Sequence, residues 1–140
     1  MVNVLILWYM EHRKISSGSP FEKPIGFSRA LRTGNRILVS GTAPISEDGS
    51  AAFPGDVYRQ TRHCLQIIEK AITEAGGQLK DVIRTRVYLT DGDTWKEAGK
   101  AHGEFFGEIR PASTFVEVSR LIDPAWMVEI EAECEVESAK

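Results

Sequence analysis

The sequence lacks the signatures of several large functional classes. It has two cysteines, Cys64 and Cys134, and no CxxC or paired Cys/His spacing, which excludes a typical zinc site. No apolar run reaches the roughly 18 residues that a bilayer span needs, and neither a GxxxxGK nor a GxGxxG phosphate loop is present. We therefore expect no metal, no cofactor and no membrane association. The two cysteines are predicted to be reduced, buried thiols of a cytoplasmic protein.

A basic excess is also missing. The 140 residues include 17 basic and 20 acidic side chains, and the apolar fraction of 42% suits one globular domain over residues 1–140. Residues 1–70 carry nine basic and six acidic side chains, whereas residues 71–140 carry eight and fourteen. The acidic second half disfavours a nucleic-acid partner, because phosphate contacts need lysine and arginine.

The N-terminal segment 1–14 has an unusual order. Residues 1–9 are a short apolar stretch, and Met10 precedes the charged residues Glu11 to Lys14. A secretory signal has its basic residues before the apolar run, so this order does not fit one. Two interpretations stay open: an additional edge strand, or a natural start at Met10, which we favour.

Hydrophobic periodicity predicts an α+β fold with the element order ββαβαββ. Alternating residues predict strands, and a 3.6-residue period predicts two helices that end at Gly76-Gly77 and Gly107. Helices that alternate with strands favour a single mixed sheet with both helices on one face. The predicted strands are 25–32, 36–43, 83–90, 114–119 and 128–136, the predicted helices are 56–75 and 93–106, and the predicted loops include 15–24 and 44–55.

Five glutamates occupy alternate positions of the last predicted strand, from Glu129 to Glu137. Residues at a period of two share one face of a sheet. We interpret Glu131 to Glu137 as a solvated face with Arg84 and Arg86 opposite, whereas Glu129 lies nearest the loop end, where clefts form. His102, on an apolar helix face, is interpreted as a core histidine.

Residues 110–132 resemble the C-terminal signature of the Rid family, the YjgF-like reactive intermediate deaminases. Leu38 to Gly41, Ala75 to Gly77 and Glu104 to Phe106 match further family segments in order. The resemblance covers roughly residues 15–137. It implies a chorismate-mutase-like fold and a homotrimer with ligand clefts between its subunits.

The resemblance also implies a chemistry. Active members of the family hydrolyse enamines and imines such as 2-aminoacrylate, with an arginine on the substrate carboxylate and a glutamate that positions or activates water. By motif, Glu129 matches that glutamate and is the candidate catalytic residue. Ser40 and Gly41 match cleft residues, and Phe27 matches an aromatic position at the cleft wall.

This sequence departs from the family pattern at the arginine that binds the substrate carboxylate, which we call the anion clamp. Ser113 stands where deaminating members have the arginine, Phe115 replaces a cysteine, and Gly99 replaces an asparagine of the second helix. Arg110 lies three residues before Ser113, an odd offset that points to the opposite face of an extended strand. The resemblance therefore implies a retained cleft with an altered clamp. The candidate ligand-binding residues are Phe27, Ser40, Gly41, Arg110, Ser113, Thr114 and Phe115.

Two functions stay open at this point. The first is hydrolysis of an imine, an enamine or a related small metabolite by an enzyme that is not a typical 2-aminoacrylate deaminase. The second is non-enzymatic binding of a small ligand, such as a carboxylate or an imine, by a regulatory trimer. An endoribonuclease or translation inhibitor is a third reading, which the acidic second half and the lack of a catalytic histidine pair disfavour.

Overall fold

A six-stranded sheet covered by helices makes up the computed structural model, which describes residues 12–137. The strands are β1 (Arg13–Ile15), β2 (Ala30–Thr33), β3 (Arg36–Thr42), β4 (Val82–Leu89), β5 (Ala112–Glu117) and β6 (Val128–Glu135). The helices are the single turn α1 (Glu22–Ile25) and the longer α2 (Val57–Glu74) and α3 (Trp95–Phe106). Short 3-10 turns at Leu79–Asp81 and Gly92–Thr94 precede β4 and α3.

The sheet has the strand order β1-β2-β3-β6-β4-β5. Only β4 and β5 pair in parallel among these strands, because α3 carries the chain back between them; the other neighbours are antiparallel. The predicted α+β class and mixed sheet are confirmed, and the predicted element order is found from β2 to β6. Strand β1 and the turn α1 precede that order.

Helix α2 begins and ends where its sequence predicts. The Asp56 side chain accepts a hydrogen bond from the Arg59 backbone N–H, which caps one of the exposed donors of the first turn. Gly76 adopts a positive φ of 86°, which only glycine takes up readily after a helix. The buried face of α2 includes Leu65, Ile68 and Ile72 and packs in the same core as the inward residues of β3, β4 and β6.

The segment 15–24 is more ordered than the loop that its composition predicts. Ile15 pairs with Ala30 of β2, and the buried Glu22 carboxylate accepts hydrogen bonds from the Ser17 backbone N–H, the Ser17 hydroxyl and the Ser19 backbone N–H. These bonds hold the pKa of Glu22 below its ordinary value despite the opposing effect of burial. A four-residue turn is too short to show a helical period, so the sequence pattern missed it.

Two local predictions are wrong. The alternation that predicts a strand over 83–90 would bury Ile83, but Ile83 is 41% exposed, because a bulge between Val82 and Arg84 shifts the alternation and places Val82 inside. The helix predicted over 93–106, with Asp93 as its cap, begins only at Trp95, because a 3-10 turn precedes it and Asp91 accepts the hydrogen bond from the Asp93 N–H.

The N-terminal apolar stretch and the start at Met10 lie outside the described residues. Within residues 12–137, no helix has the length and apolar character that crossing a membrane requires.

Candidate functional site

Glu129 lies on the sheet face opposite the helices, near the start of β6. It is opposite Tyr88 of β4, and its side chain is half-buried. Burial raises the pKa of its carboxyl group, the charge of Arg29 lowers it, and Glu131 raises it slightly further. Within residues 12–137, neither a hydrogen bond nor an ion pair reaches this carboxylate. Glu129 is therefore able to exchange protons at a pH closer to neutral than an exposed glutamate.

Gly41 allows the Glu129 carboxylate to lie against the backbone of β3. A β-carbon at this position would lie 3.0 Å from Glu129 Oε1. The pairing between β3 and β6 is irregular here: Val39 is opposite Ala132, whereas Thr42 is opposite Ile130, so the register shifts around Gly41. This bulge, together with the missing side chain of Gly41, makes room for the carboxylate.

The next two glutamates of β6 differ from Glu129 because each has a basic partner. Arg86 Nη1 lies 3.4 Å from Glu131 Oε1, and the Tyr88 hydroxyl donates a 2.6 Å hydrogen bond to the same oxygen. Arg84 Nε lies 3.6 Å from Glu133 Oε2. The predicted arrangement of Arg84 and Arg86 opposite these glutamates is confirmed.

Arg29 is a component of this site that the sequence analysis missed. It lies just before β2, where its backbone N–H donates to Ile15 O and its carbonyl accepts from the Ser40 N–H. Its Nη1 donates to the Gly41 carbonyl oxygen at 3.0 Å and to Thr42 Oγ1 at 3.1 Å. The guanidinium is half-buried, and its charge interacts with the carboxylates of Glu22 and Glu129.

Phe27 and Ser40 surround Arg29. The Arg29 guanidinium carbon lies 5.7 Å from the centre of the Phe27 ring, a cation–π contact. The Ser40 hydroxyl donates a 2.6 Å hydrogen bond to Ser28 O, which joins the segment before β2 to β3. Phe27 and Arg29 stand two residues apart, and this spacing would place both on one face of an extended segment.

The candidate residues of β5 point to both faces of the sheet. Ser113 pairs with the buried Thr85, and the Thr85 hydroxyl lies 2.7 Å from Ser113 Oγ and 2.8 Å from His102 Nε2. Phe115 packs beside His102, with a ring-centre distance of 5.4 Å. Ser113 and Phe115 therefore face the helix layer. Thr114 pairs with Arg86, on the face that carries the glutamates.

His102 is held between β4 and β5 by these contacts. Its ring centre lies 4.7 Å from that of Phe106, and burial lowers the pKa of the imidazole. A neutral imidazole that shares a hydrogen bond with Thr85 fits the interpretation of His102 as a core histidine.

Arg110 lies outside the strand. Its backbone has a positive φ of 53°, its N–H donates to Phe106 O, and β5 begins two residues later at Ala112. Because Arg110 is not part of the extended strand, its three-residue offset from Ser113 does not determine which face of the sheet its side chain points to. Ala112 is opposite Arg84, whereas Glu129 is opposite Tyr88, so Arg110 lies toward the other end of β4 from Glu129.

The candidate residues thus form two groups in one chain. Phe27, Arg29, Ser40, Gly41 and Glu129 lie together around β2, β3 and β6, and the remaining candidates lie on or before β5. Strands β3 and β5 are separated by β6 and β4, a distance of roughly 14 Å at ordinary strand spacing. The larger group, with Glu129, contains the buried charges.

Two other features of residues 12–137 bear on a site. No group of three or more His, Cys, Asp or Glu side chains could hold a metal ion among these residues. An open depression of about 360 Å³ lies on the solvent side of α2 and contains none of the predicted site residues. Its lining residues are Phe53, Tyr58, Arg59, Arg62, His63 and Gln66.

Residues 21–136 match the family model described as endoribonuclease L-PSP. The chain belongs to this family, which is the YjgF/Rid family. A crystal structure of a YjgF/YER057c/UK114 family member from Mycobacterium tuberculosis superposes with a TM-score of 0.81 at 45% identity, over 90% of this chain and 100% of that one. The chorismate-mutase-like fold implied by the sequence resemblance is confirmed by such neighbours.

Two further relatives have names that describe an activity or a ligand. The 3-aminoacrylate deaminase RutC of Acinetobacter baylyi is 36% identical over 101 residues, which is 72% of this chain and 79% of that protein. The crystal structure of Escherichia coli TdcF with bound serine has a TM-score of 0.74 at 25% identity, and the match covers 89% of this chain and 94% of that one.

Proposed function

We propose that this protein hydrolyses an imine or enamine of a short carboxylic acid, and that Glu129 transfers the protons. The observation that carries this proposal is the state of the Glu129 carboxyl group. It is half-buried, its pKa is raised by that burial, and it lies against the backbone of Gly41 without an ion-pair partner within residues 12–137. This combination favours general acid–base catalysis, because a carboxyl group with a raised pKa is a better proton donor at a pH closer to neutral and can take the proton back.

The reaction balances with one carboxyl group and one water. Glu129 donates a proton to the imine nitrogen, and the resulting carboxylate removes a proton from the water that adds to the imine carbon. A second proton transfer, from Glu129 to the amine nitrogen, converts the amino group into a leaving group. The C–N bond then breaks, ammonia leaves, the hydroxyl proton returns to Glu129, and a carbonyl compound remains. An enamine enters the same sequence once its carbon has been protonated.

The named relatives support this choice of substrate class. One of them is called a 3-aminoacrylate deaminase, and 3-aminoacrylate is a short enamine with a carboxylate. Another was crystallised with serine, which has a carboxylate and an amino group on a three-carbon skeleton. Both molecules have the short skeleton and the carboxylate that we assign to the substrate here.

The division of the candidate residues supports a cleft between subunits of a homotrimer. The group around Glu129 and the group on β5 are two strands apart in one chain. β5 is an edge strand of this sheet, so its outer side is available to a second copy. In the proposed trimer, β5 of one subunit contributes Thr114 to a cleft whose other wall contains Glu129 of the neighbour.

The test is the release of ammonia and keto acid from imines that an amino-acid oxidase generates in situ. We expect Glu129→Gln to reduce the rate above the spontaneous reaction by at least about a hundredfold, a typical contribution of general acid–base catalysis. Glu135→Gln is the matched control, because Glu135 lies on the same strand and face but is exposed. The proposal fails if Glu129→Gln hydrolyses these imines as fast as the unaltered protein.

A binding protein without turnover is the second candidate, and Ser113 favours it. The Ser113 hydroxyl faces Thr85, so no cation occupies the position where deaminating relatives have their clamp. This reading predicts that small carboxylates raise the melting temperature while no imine is hydrolysed faster than in buffer. In that case Ser113→Arg should create 2-aminoacrylate hydrolysis in a scaffold that otherwise only binds.

A further inference from the structure

The Arg29 guanidinium has one satisfied edge and one unsatisfied edge. Nη1, on the edge nearest the side-chain stem, donates to both Gly41 O and Thr42 Oγ1. The other edge carries Nε and Nη2. Nε is buried without a hydrogen-bond partner, and within residues 12–137 no hydrogen bond or ion pair from Nη2 is found. A buried charged donor without an acceptor is costly, so this arrangement needs an explanation.

The nearby carboxylates do not supply the missing acceptor. Glu22 accepts its hydrogen bonds from Ser17 and Ser19 on Oε2, and within the described chain no ion pair joins its carboxylate to Arg29. Glu129 is close enough for its charge to affect the pKa of Arg29, but the two form no ion pair within the described chain. The Nε and Nη2 edge is thus left for an acceptor from outside residues 12–137.

This unsatisfied edge has the geometry that recognises a carboxylate. Nε and Nη2 present two parallel N–H groups, which bind the two oxygens of a carboxylate side-on. We call this edge, with its two parallel N–H groups, the fork. Nη1 fixes the orientation of the fork through two hydrogen bonds, and Phe27 covers the guanidinium through a cation–π contact. The fork is therefore rigid before any ligand binds, which lowers the entropic cost of binding.

Gly41 relates the fork to the proton-transfer group. Its carbonyl oxygen accepts from Arg29 Nη1, and its α-carbon lies beside Glu129 Oε1. Arg29 and Glu129 thus both contact Gly41, and the charge of each affects the pKa of the other.

We propose that Arg29 binds the substrate carboxylate through Nε and Nη2, and so takes the role of the arginine that is missing at position 113. This inference rests on the proposed function for the identity of the reacting carbon. It restricts the substrates to imines and enamines that carry a free carboxylate, and it excludes the corresponding esters and amides. Arg29 contributes this selectivity, and Glu129 remains the proton-transfer group.

The test compares 2-oxobutyrate, the product of 2-iminobutyrate hydrolysis, with its uncharged methyl ester. Dissociation constants are measured by calorimetry or thermal shift for the unaltered protein, Arg29→Lys, Arg29→Gln and Arg36→Gln. Arg36 is an exposed arginine of β3 and serves as the control. We expect Arg29→Lys and Arg29→Gln to bind 2-oxobutyrate about tenfold or more weakly, Arg36→Gln to bind normally, and the ester to bind weakly to all four.

A crystal structure of the unaltered protein with 2-oxobutyrate gives a second test that does not depend on the folding of a variant. The carboxylate should accept hydrogen bonds from both Nε and Nη2 of Arg29. Binding elsewhere, or binding that Arg29→Lys leaves unchanged, would overturn the assignment. If 2-oxobutyrate binds at Arg29 but no imine is hydrolysed, the carboxylate site stands and the proposed hydrolysis fails. If hydrolysis depends on Glu129 but Arg29→Lys leaves KM for 2-imino acids unchanged, the proposed hydrolysis stands and the carboxylate site at Arg29 fails.

Discussion

Glu129 Oε1 and the α-carbon of Gly41 are so close that a β-carbon added to Gly41 would lie 3.0 Å from that oxygen. The contact fixes the carboxylate against the edge of β3, where the bulge between β3 and β6 creates space. It gives a direct way to displace Glu129 without changing its chemistry.

Gly41→Ala should lower imine hydrolysis by roughly tenfold or more, because the added methyl group pushes the carboxylate away from its reactive position. Gly99→Ala is the matched control. Gly99 lies in α3 with no atom within 4 Å of its added β-carbon, so this variant should keep full activity and gain about 0.5–1 kcal/mol of helix stability. Steady-state kinetics and urea unfolding measure both effects. Equal activity of Gly41→Ala and the unaltered protein would show that the position of Glu129 is not critical.

The raised pKa of Glu129 predicts a pH-dependent stability difference. Burial favours the protonated carboxyl group in the folded state. The folded protein therefore loses stability as the pH rises from 4.5, the ordinary pKa of a glutamate, through the raised pKa of Glu129. Glu129→Gln cannot ionise and avoids this loss. It should match the unaltered protein at about pH 4 and be more stable at about pH 7.5 in urea unfolding. A variant that is less stable than the unaltered protein at neutral pH would contradict the raised pKa.

Arg29 should influence the titration of Glu129 as well as the affinity for carboxylates. Its positive charge lowers the pKa of Glu129, so Arg29→Gln should move the pKa that kcat/KM reports to a higher pH. Arg36→Gln should leave the profile in place, since no effect of Arg36 on Glu129 is found. The measurement is kcat/KM for one imine across the pH range in which the protein remains folded. A downward shift would mean that another group controls the rate.

Thr85 joins β4, β5 and α3 through its hydroxyl. It is fully buried and hydrogen-bonds both His102 Nε2 and Ser113 Oγ. Thr85→Val should lower the free energy of unfolding by about 1–3 kcal/mol, because it leaves two polar groups without their partner. Ser113→Ala removes only one of these bonds at an exposed residue and should cost less. Urea unfolding of both variants measures the difference, and a larger loss for Ser113→Ala would refute this account.

Long periodic segments of the sequence predicted their structures well. Helix α2 has a strong 3.6-residue period, an aspartate cap and a terminal glycine, and β6 alternates strictly between core residues and glutamates. These patterns are local, so a reader of the sequence sees them directly. The turn α1 escaped prediction because four residues are too few to show a helical period. Ile83 escaped because its exposure depends on a non-local contact, the bulge against β6.

The site was predictable only in part for the same reason. Glu129 stood out because its strand has a charge at every second position and a motif marks one of them. Arg29 has no such mark, since its importance arises from the carbonyl of Gly41 and the hydroxyl of Thr42, which lie twelve and thirteen residues further along the chain. Its spacing of two from Phe27 was the one local signal available.

The placement of β5 at the sheet edge has a consequence for how such a protein diversifies. Glu129 lies on β6 between β3 and β4, whereas β5 pairs only with β4 within this sheet. In the proposed cleft, substitutions on β5 would reshape one wall while the proton-transfer machinery of the other wall stayed intact. The shape of the β5 wall and the catalytic competence of the Glu129 wall would then be inherited as separable traits, and a lineage that lost the clamp on β5 could use Arg29 without rebuilding its core.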